Sequence, residues 1–331
     1  MVIRLQRQYP NMAKIDMASG GELEHDIARV MNASEVTNLR RLSGGASRET
    51  WMLSADGSDY VMQRVRAGRP DGLGLEPQVL AAAHRAGVPV PELVVDGSHS
   101  TELERPFMIV RAVEGESIAR KIQRDEEFTE ARGVLASQLG AAAARTHQIS
   151  ADEVSGLNQS DQLTMYRNVM DELGEPHPVF EIAFRWLDAH RPAHARQTLV
   201  HGDFRLGNVL VGSQGLAAVL DWELAHVGDP MEDLGWLCVR AWRFGGAHPV
   251  AGIGSYEQLF DAYESVSGVR PDFDAVRWWE VLGTLKWGII CINQATTHLR
   301  GISRSHELAA IGRRVCENEY DLIEYLTEMV K

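Results

Sequence analysis

Cysteine is scarce in this chain of 331 residues: Cys238, Cys291 and Cys316 are odd in number, far apart and without metal-type spacing. That excludes a disulfide framework or a cysteine-based zinc site, and fits reduced core thiols in a cytosolic protein. Basic residues are also in deficit. Lys and Arg total 33 against 46 Asp and Glu, a formal net charge of -13, and no basic tract exists to neutralise phosphates. Nucleic acid and anionic membrane are therefore excluded as expected partners. Long apolar runs are missing too, since each meets charge well before the ~20 residues of a membrane span. No apolar run follows Arg4 and Arg7, so no signal peptide is expected. Internal repeats and low-complexity linkers are absent. What is present, 44% hydrophobic and 24% charged, is ordinary for a globular cytoplasmic enzyme of two domains, or of two lobes.

Read in order, residues 1–20 carry little periodicity and are expected to form a loose arm. Leu23, Ile27, Val30 and Met31 then fit one helical face over 22–31. Residues 39–54 read as strand, small-residue turn at 43–47, and strand; Gly44 and Gly45 permit positive φ and close approach of backbone N–H groups to an anion. Residues 60–65 are a strand. A turn at 71–74 leads to a helix over 76–85, with Pro77 in its first turn and Gly87 at its end. Residues 93–95 and 107–110 complete about five antiparallel strands. Helices are expected afterwards at 130–148, 166–170, 179–190, 231–244, 256–267, 273–299 and 307–330. His147, closing the first of these, reads as a core or capping histidine.

The chemistry concentrates in residues 199–223. Two apolar β-branched runs flank a polar segment holding His201, Asp203 and Asn208; a turn at 212–215 follows, and the next run ends on Asp221. Strand, loop, strand, turn, strand is the reading. Asp203 is a candidate base on a loop between strands. Asn208 and Asp221 offer one neutral and one anionic oxygen, the donors magnesium prefers beside water and phosphate. Each residue alone is an ordinary loop residue. Together, at this spacing, they are the equipment of phosphoryl transfer.

The run His201-Gly202-Asp203 with Asn208, then Asp221-Trp222-Glu223, then Gly228-Asp229-Pro230 with Asp233-Leu234, resembles the aminoglycoside phosphotransferase/choline kinase-type family. Ser43 to Ser47, Glu76 eleven residues before Gly87, and residues 107–115 extend the resemblance, which covers roughly 38–240. It implies an α+β, protein-kinase-like two-lobe fold: an N-terminal arm (1–20), a small antiparallel-sheet N-lobe (21–110), a hinge (111–115) and a larger, mainly helical C-lobe (116–331). It further implies Asp203 as the residue that accepts or orients the hydroxyl proton, with Asn208 and Asp221 on Mg2+ bridging the phosphates of ATP or GTP. Ser43, Gly44, Gly45, Ala46 and Ser47 would cover those phosphates, and the backbone of Val110, Arg111, Ala112 and Val113 would meet the adenine edge. His201 and Asp233 would brace the loop. The family also has a cation on its third strand, paired with the helix glutamate. Here that position is Gln63, with Arg64 next; strand alternation turns Arg64 away unless the strand slips by one. Glu76 requires a cation, and Arg64 is the expected partner, with Gln63 the other option.

The resemblance assigns acceptor choice to the C-terminal helices. Trp236, Trp242, Trp278, Trp279 and Trp287 all follow Asp221, with Arg240, Arg243, Lys286 and Arg300 nearby. Trp242, Trp287 and Arg243 are the candidate substrate contacts. An aromatic, cation-bearing lobe suits an apolar, aromatic or acyl hydroxyl compound better than a polycationic aminoglycoside. The competing readings are an aminoglycoside kinase, a nucleotide-binding pseudokinase or regulatory module, motivated by Gln63, and a protein kinase. The last is disfavoured because no alanine-proline-glutamate anchor follows Asp221.

Overall fold

The computed structural model describes residues 17–44, 48–67, 72–193 and 196–330. They fold as two compact units. One gathers the described residues up to 134 with 152–157 and 207–225; the other gathers 135–151, 158–206 and the described residues from 226 onward.

The first unit is built on an antiparallel sheet of five strands: β1 (Val36–Gly44), β2 (Arg48–Ala55), β3 (Ser58–Val65), β4 (Leu93–Gly97) and β5 (Phe107–Arg111), in the order β1-β2-β3-β5-β4. Asp56 and Gly57, both with positive φ, form a two-residue turn that lets β2 and β3 pair from Ala55 opposite Ser58 to Arg48 opposite Val65. Such a turn matches the twist of the strands it joins. Helix α1 (Met17–Met31) begins inside the stretch expected to be loose, and Ile27 packs with Trp51, Leu53, Met62, Phe107 and Ile109 on one sheet face. The remainder of the expected arm, residues 1–16, lies outside the described residues. Helix α2 (Glu76–Arg85) begins and ends where the sequence placed it, burying Glu76, Val79, Leu80, Ala82 and Ala83. Helix α3 (Ala119–Arg124) follows. Later in the chain, β7 (Val209–Gly212) and β8 (Gly215–Val219) form a hairpin in this same unit. Its Val219 N–H donates to Pro89 O at 2.7 Å, and Val211 pairs with Glu116.

The second unit is mainly helical. Helix α4 (Thr129–Thr146) runs into it, and α5 (Gln162–Leu173), α6 (Pro178–Ala189), α7 (Met231–Cys238), α8 (Tyr256–Ser267), α9 (Phe273–Leu299), α10 (His306–Ile311) and α11 (Val315–Val330) belong to it. Two short strands, β6 (Thr198–Val200) and β9 (His226–Gly228), pair antiparallel. The core joins Phe180, Phe184 and Leu187 of α6, Leu282, Leu285 and Ile289 of α9, and Leu322 and Tyr325 of α11. Helix α7 lies close against α9 because Gly235 has no side chain; a Cβ there would stand 2.5 Å from that of Trp279. Two expected helices are shorter than their apolar patterns. The first stops at Cys238, where Val239 turns extended, and only a 3-10 turn (Arg240–Arg243) follows. The last is interrupted by a 3-10 turn at Gly312–Arg314, where a Cβ on Gly312 would meet the Ala295 side chain at 2.5 Å. Among the described residues no helix is long and apolar enough to cross a membrane.

Candidate active site

In the helical unit, Asp203 stands on the loop after β6, partly buried. Its Oδ1 accepts from the indole Nε1 of Trp236 at 2.7 Å and from Arg205 Nε at 3.0 Å. Its own N–H donates to His201 Nδ1 at 3.2 Å. The loop is tied down by Asp233 of α7, which accepts from the His201 N–H at 2.7 Å and the Gly202 N–H at 2.9 Å. Asp233 in turn meets His147 Nε2 at 3.0 Å, and the other ring nitrogen of that histidine meets Tyr263 Oη at 3.0 Å. Burial alone would raise the Asp233 pKa, yet the hydrogen bond and charge of His147, with the charge and amide of His201, hold it below the usual carboxylate range. His147 is thus the satisfied core histidine its position indicated.

Lys286 completes this shell. It is fully buried in α9 and donates to Gly202 O at 3.1 Å, with Glu232 at 3.6 Å and the Trp236 ring at 4.6 Å. Burial would lower its pKa, but Glu232, Tyr166, Asp203 and Asp233 outweigh that and hold it above the usual lysine value. A charged lysine bonded to the carbonyl of Gly202, the residue before Asp203, therefore fixes the loop and adds positive potential near the carboxylate.

In the sheet unit, Asn208 precedes β7 and Asp221 follows β8. Their backbones meet through Leu220 N donating to Asn208 O at 2.8 Å. Asn208 is buried, whereas Asp221 is exposed and has φ +65°, a left-handed conformation rarely adopted by a residue with a side chain. Such strain costs about 1–3 kcal/mol and persists only where neighbours impose it. Here the next residue, Trp222, is buried and donates its N–H to Glu76 Oε1 at 3.3 Å. An amide oxygen and an outward carboxylate at the two ends of one hairpin fit a hard cation that completes its shell with water and phosphate oxygens.

Glu76 does not have the partner expected for it. Its Oε2 receives Arg48 Nη1, from β2, which also donates to Gln63 Oε1 at 3.0 Å. Arg64 bonds Glu49 at 3.2 Å on the opposite face, so the expected Arg64–Glu76 pair is corrected to Arg48–Glu76. The reason is register: β2 and β3 pair without a bulge, which puts Arg48, Thr50 and Gln63 on one face and Glu49 and Arg64 on the other. Burial pushes the Glu76 pKa up against the pull of Arg48, and Asp221 and Glu223 push it further. At the expected hinge, Val110 is buried in β5. The amides of Arg111 and Ala112 are engaged, with Glu92 O at 2.8 Å and Asp59 O at 2.9 Å, which limits which of residues 110–113 could donate to an adenine. Of the turn residues, Ser43 and Gly44 close β1; Gly45, Ala46 and Ser47 lie outside the described residues.

Of the three candidate substrate contacts, Trp242 and Trp287 lie with ring centroids 4.8 Å apart and planes tilted by 56°, and Trp242 lies 5.2 Å from Trp236. The Arg205 guanidinium lies over the Trp242 ring at 4.6 Å. The tryptophan tier therefore adjoins both residues that hold Asp203. The buried indole nitrogens of Trp242 and Trp287 have no hydrogen-bond partner among the described residues. Arg243, the third, donates to Cys238 O at 3.1 and 2.8 Å and lies 3.7 Å from the wholly buried Glu280. It closes the carbonyl end of α7. Sequence reasoning missed Arg48, Trp236, Arg205 and Lys286 as members of these constellations. Their only signal was proximity to a motif in sequence, or a charge within an apolar helix.

Comparison with known proteins places this geometry. The model of a phosphotransferase enzyme family matches residues 38–279. Acyl-CoA dehydrogenase family member 10 of Mus musculus is 25% identical over 262 residues, 70% of this chain, which spans only 24% of that relative's length. An aminoglycoside phosphotransferase-like crystal structure from Ralstonia eutropha JMP134 is 21% identical, with TM-score 0.74 over 93% of this chain and 98% of that one. An aminoglycoside phosphotransferase APH(4)-Ia, solved with AMP-PNP and hygromycin B, is 17% identical, with TM-score 0.63 over 90% and 98%. These two likenesses establish the protein-kinase-like α+β fold, with its antiparallel-sheet N-terminal part and helical C-terminal part. Since the family model covers most of its length, the chain belongs to this phosphotransferase enzyme family.

Proposed function

We propose that the chain is a Mg-ATP-dependent O-phosphotransferase for a small hydroxyl compound with an apolar, aromatic or acyl body. The observation that carries the reading is the setting of Asp203. A carboxylate held by Trp236 and Arg205, on a loop fastened by Asp233 and Lys286, is a base kept in one orientation. Positioning of this kind supplies most of phosphoryl-transfer catalysis, because little covalent chemistry is left to the protein.

In this reading Asp203 orients the acceptor hydroxyl and takes its proton as the oxygen attacks the γ-phosphorus and the bond from that phosphorus to the β–γ bridging oxygen breaks, releasing ADP. Asn208 and Asp221 would hold magnesium, which neutralises charge on the phosphate oxygens. Asp233 and His201 keep the loop from relaxing. Use of ATP is supported by the AMP-PNP bound in the APH(4)-Ia structure. A nucleotide-dependent kinase of this composition belongs in the cytoplasm.

The acceptor reading rests on the tier of Trp242 and Trp287 beside Arg205. An aromatic pair with a guanidinium over one ring suits a compound carrying oxygen acceptors on an apolar frame. A polycationic aminoglycoside would instead call for carboxylates there. The test is an acceptor screen monitored by ADP release, spanning aminoglycosides, amino alcohols, sugars and hydroxyacyl-CoA compounds. Turnover confined to the acyl or aromatic members is expected; turnover confined to aminoglycosides would overturn the acceptor reading.

A further inference from the structure

The chain has only four lysines, Lys14, Lys121, Lys286 and Lys331, and none lies in the five-stranded sheet. A sheet that meets triphosphate needs a cation, and the strand arginines are the remaining source. Arg40 is engaged with Met52 Sδ, Arg41 and Arg64 with Glu49, and Arg111 with Glu92. Arg48 alone among these faces Glu76.

Its contacts place it relative to Asp221 through a single carboxylate. Glu76 receives Arg48 on Oε2 and the Trp222 N–H on Oε1, so one buried side chain fixes both the guanidinium and the residue following Asp221. Arg48 Nη2 then reaches Glu223 at 3.5 Å, the second residue after Asp221. The Arg48 side chain keeps 12% of its surface exposed, and Glu223 keeps 44%. At that distance, with its carboxylate half exposed to water, the contact to Glu223 is weak and easily exchanged for a stronger anion. A phosphate is such an anion, because the planar guanidinium fork can donate to two of its oxygens at once.

Resting on the proposed kinase reading, we infer that Arg48 is the phosphate-binding cation of this enzyme, transposed to β2 from the β3 position that holds Gln63. Nη1 stays on Glu76 and Gln63 while the outer edge of the guanidinium leaves Glu223 for a non-transferred phosphate of the nucleotide. Gln63, with no charge to offer, becomes the hydrogen-bond acceptor that orients the transposed arginine. A glutamine where a cation is expected is therefore no sign of lost activity.

The test is calorimetric titration of the full chain with Mg-ADP and, separately, with adenosine, which has no phosphates. Arg48→Gln should weaken Mg-ADP binding by about 10–100-fold, the range for losing hydrogen bonds between charged groups. Adenosine binding should change by no more than about twofold, being independent of that charge–charge contact. Adding Gln63→Arg to Arg48→Gln should recover most of the Mg-ADP affinity. Should Arg48→Gln prove unfolded, Arg48→Lys keeps a charge beside Glu76 but not the fork, and should show the same selective loss at smaller size. Unchanged Mg-ADP binding in a folded Arg48 variant would overturn the inference alone. So would parallel loss of both ligands without rescue, which marks a purely structural arginine. A wild type that binds neither ligand would overturn the kinase reading as well.

Discussion

Asp203 depends on neighbours that are not themselves bases. Trp236 places an indole donor 2.7 Å from Oδ1, and its ring also covers the Lys286 ammonium at 4.6 Å. Trp236→Phe removes the N–H while keeping an aromatic ring in the tier. A hydrogen bond to a charged group contributes ~1.5–3 kcal/mol, so kcat should fall at least about tenfold. The melting temperature should stay within a few degrees. Steady-state kinetics beside a melting curve checks this; an unchanged kcat would show that Asp203 needs no such orientation. Trp236 was visible in the sequence only as one of several tryptophans in the helical part. What distinguishes it from Trp278, which donates to Leu187 O, is the direction of one N–H, and residue spacing does not encode that.

Helix α7 acts as the clamp of the reactive loop. Asp233 accepts two consecutive loop amides, and Gly235 lets the helix close on α9. Because the folded pKa of Asp233 lies below the ordinary value, its stabilising effect is present above the unfolded carboxylate pKa of about 3.9 and is lost as pH falls through the lower folded value. Asp233→Asn should therefore cost about 3 kcal/mol near pH 7, as removal of one partner from a buried charged pair does. The gap to wild type should close below about pH 4, where the unfolded chain takes up the proton the native carboxylate refuses. Denaturant titrations at several pH values check it; a gap independent of pH would contradict the ionised clamp.

At this same scale the sequence was a good guide where glycine or proline punctuated it. The limits of α2 follow from Pro77 and Gly87. It misled where apolar periodicity outran the helix: Leu237, Val239 and Trp242 continue a helical pattern, but the chain turns extended at Val239 and Arg243 takes up the Cys238 carbonyl. Arg64 was expected to pair with Glu76 despite the alternation along β3, and that alternation in fact turns it away, to Glu49. The replacement came from β2, because the register between two strands is set by the Asp56-Gly57 turn and not by either strand alone.

For the whole molecule, the reaction was the most legible property and the acceptor the least. His201, Asp203, Asn208 and Asp221 announce phosphoryl transfer because few other tasks need a base and two oxygen ligands at fixed spacing on strand ends. Family membership agrees with that reading. In the proposed reading, acceptor choice depends on side chains from the 3-10 turn at Arg240–Arg243 and from α9, brought together by tertiary packing alone. The net charge of -13 argues against nucleic acid as a partner but selects no small molecule.

The central claim is that Asp203 carries phosphoryl transfer from Mg-ATP to a small-molecule hydroxyl. Its most direct test is ADP release by wild type and Asp203→Asn, each with the best acceptor from the screen and each titrated with Mg-ADP. Acceptor-dependent turnover in wild type, lowered about 10²–10⁴-fold or more in the variant, with Mg-ADP affinity retained, is the predicted result. Turnover in Asp203→Asn within a few fold of wild type would contradict it.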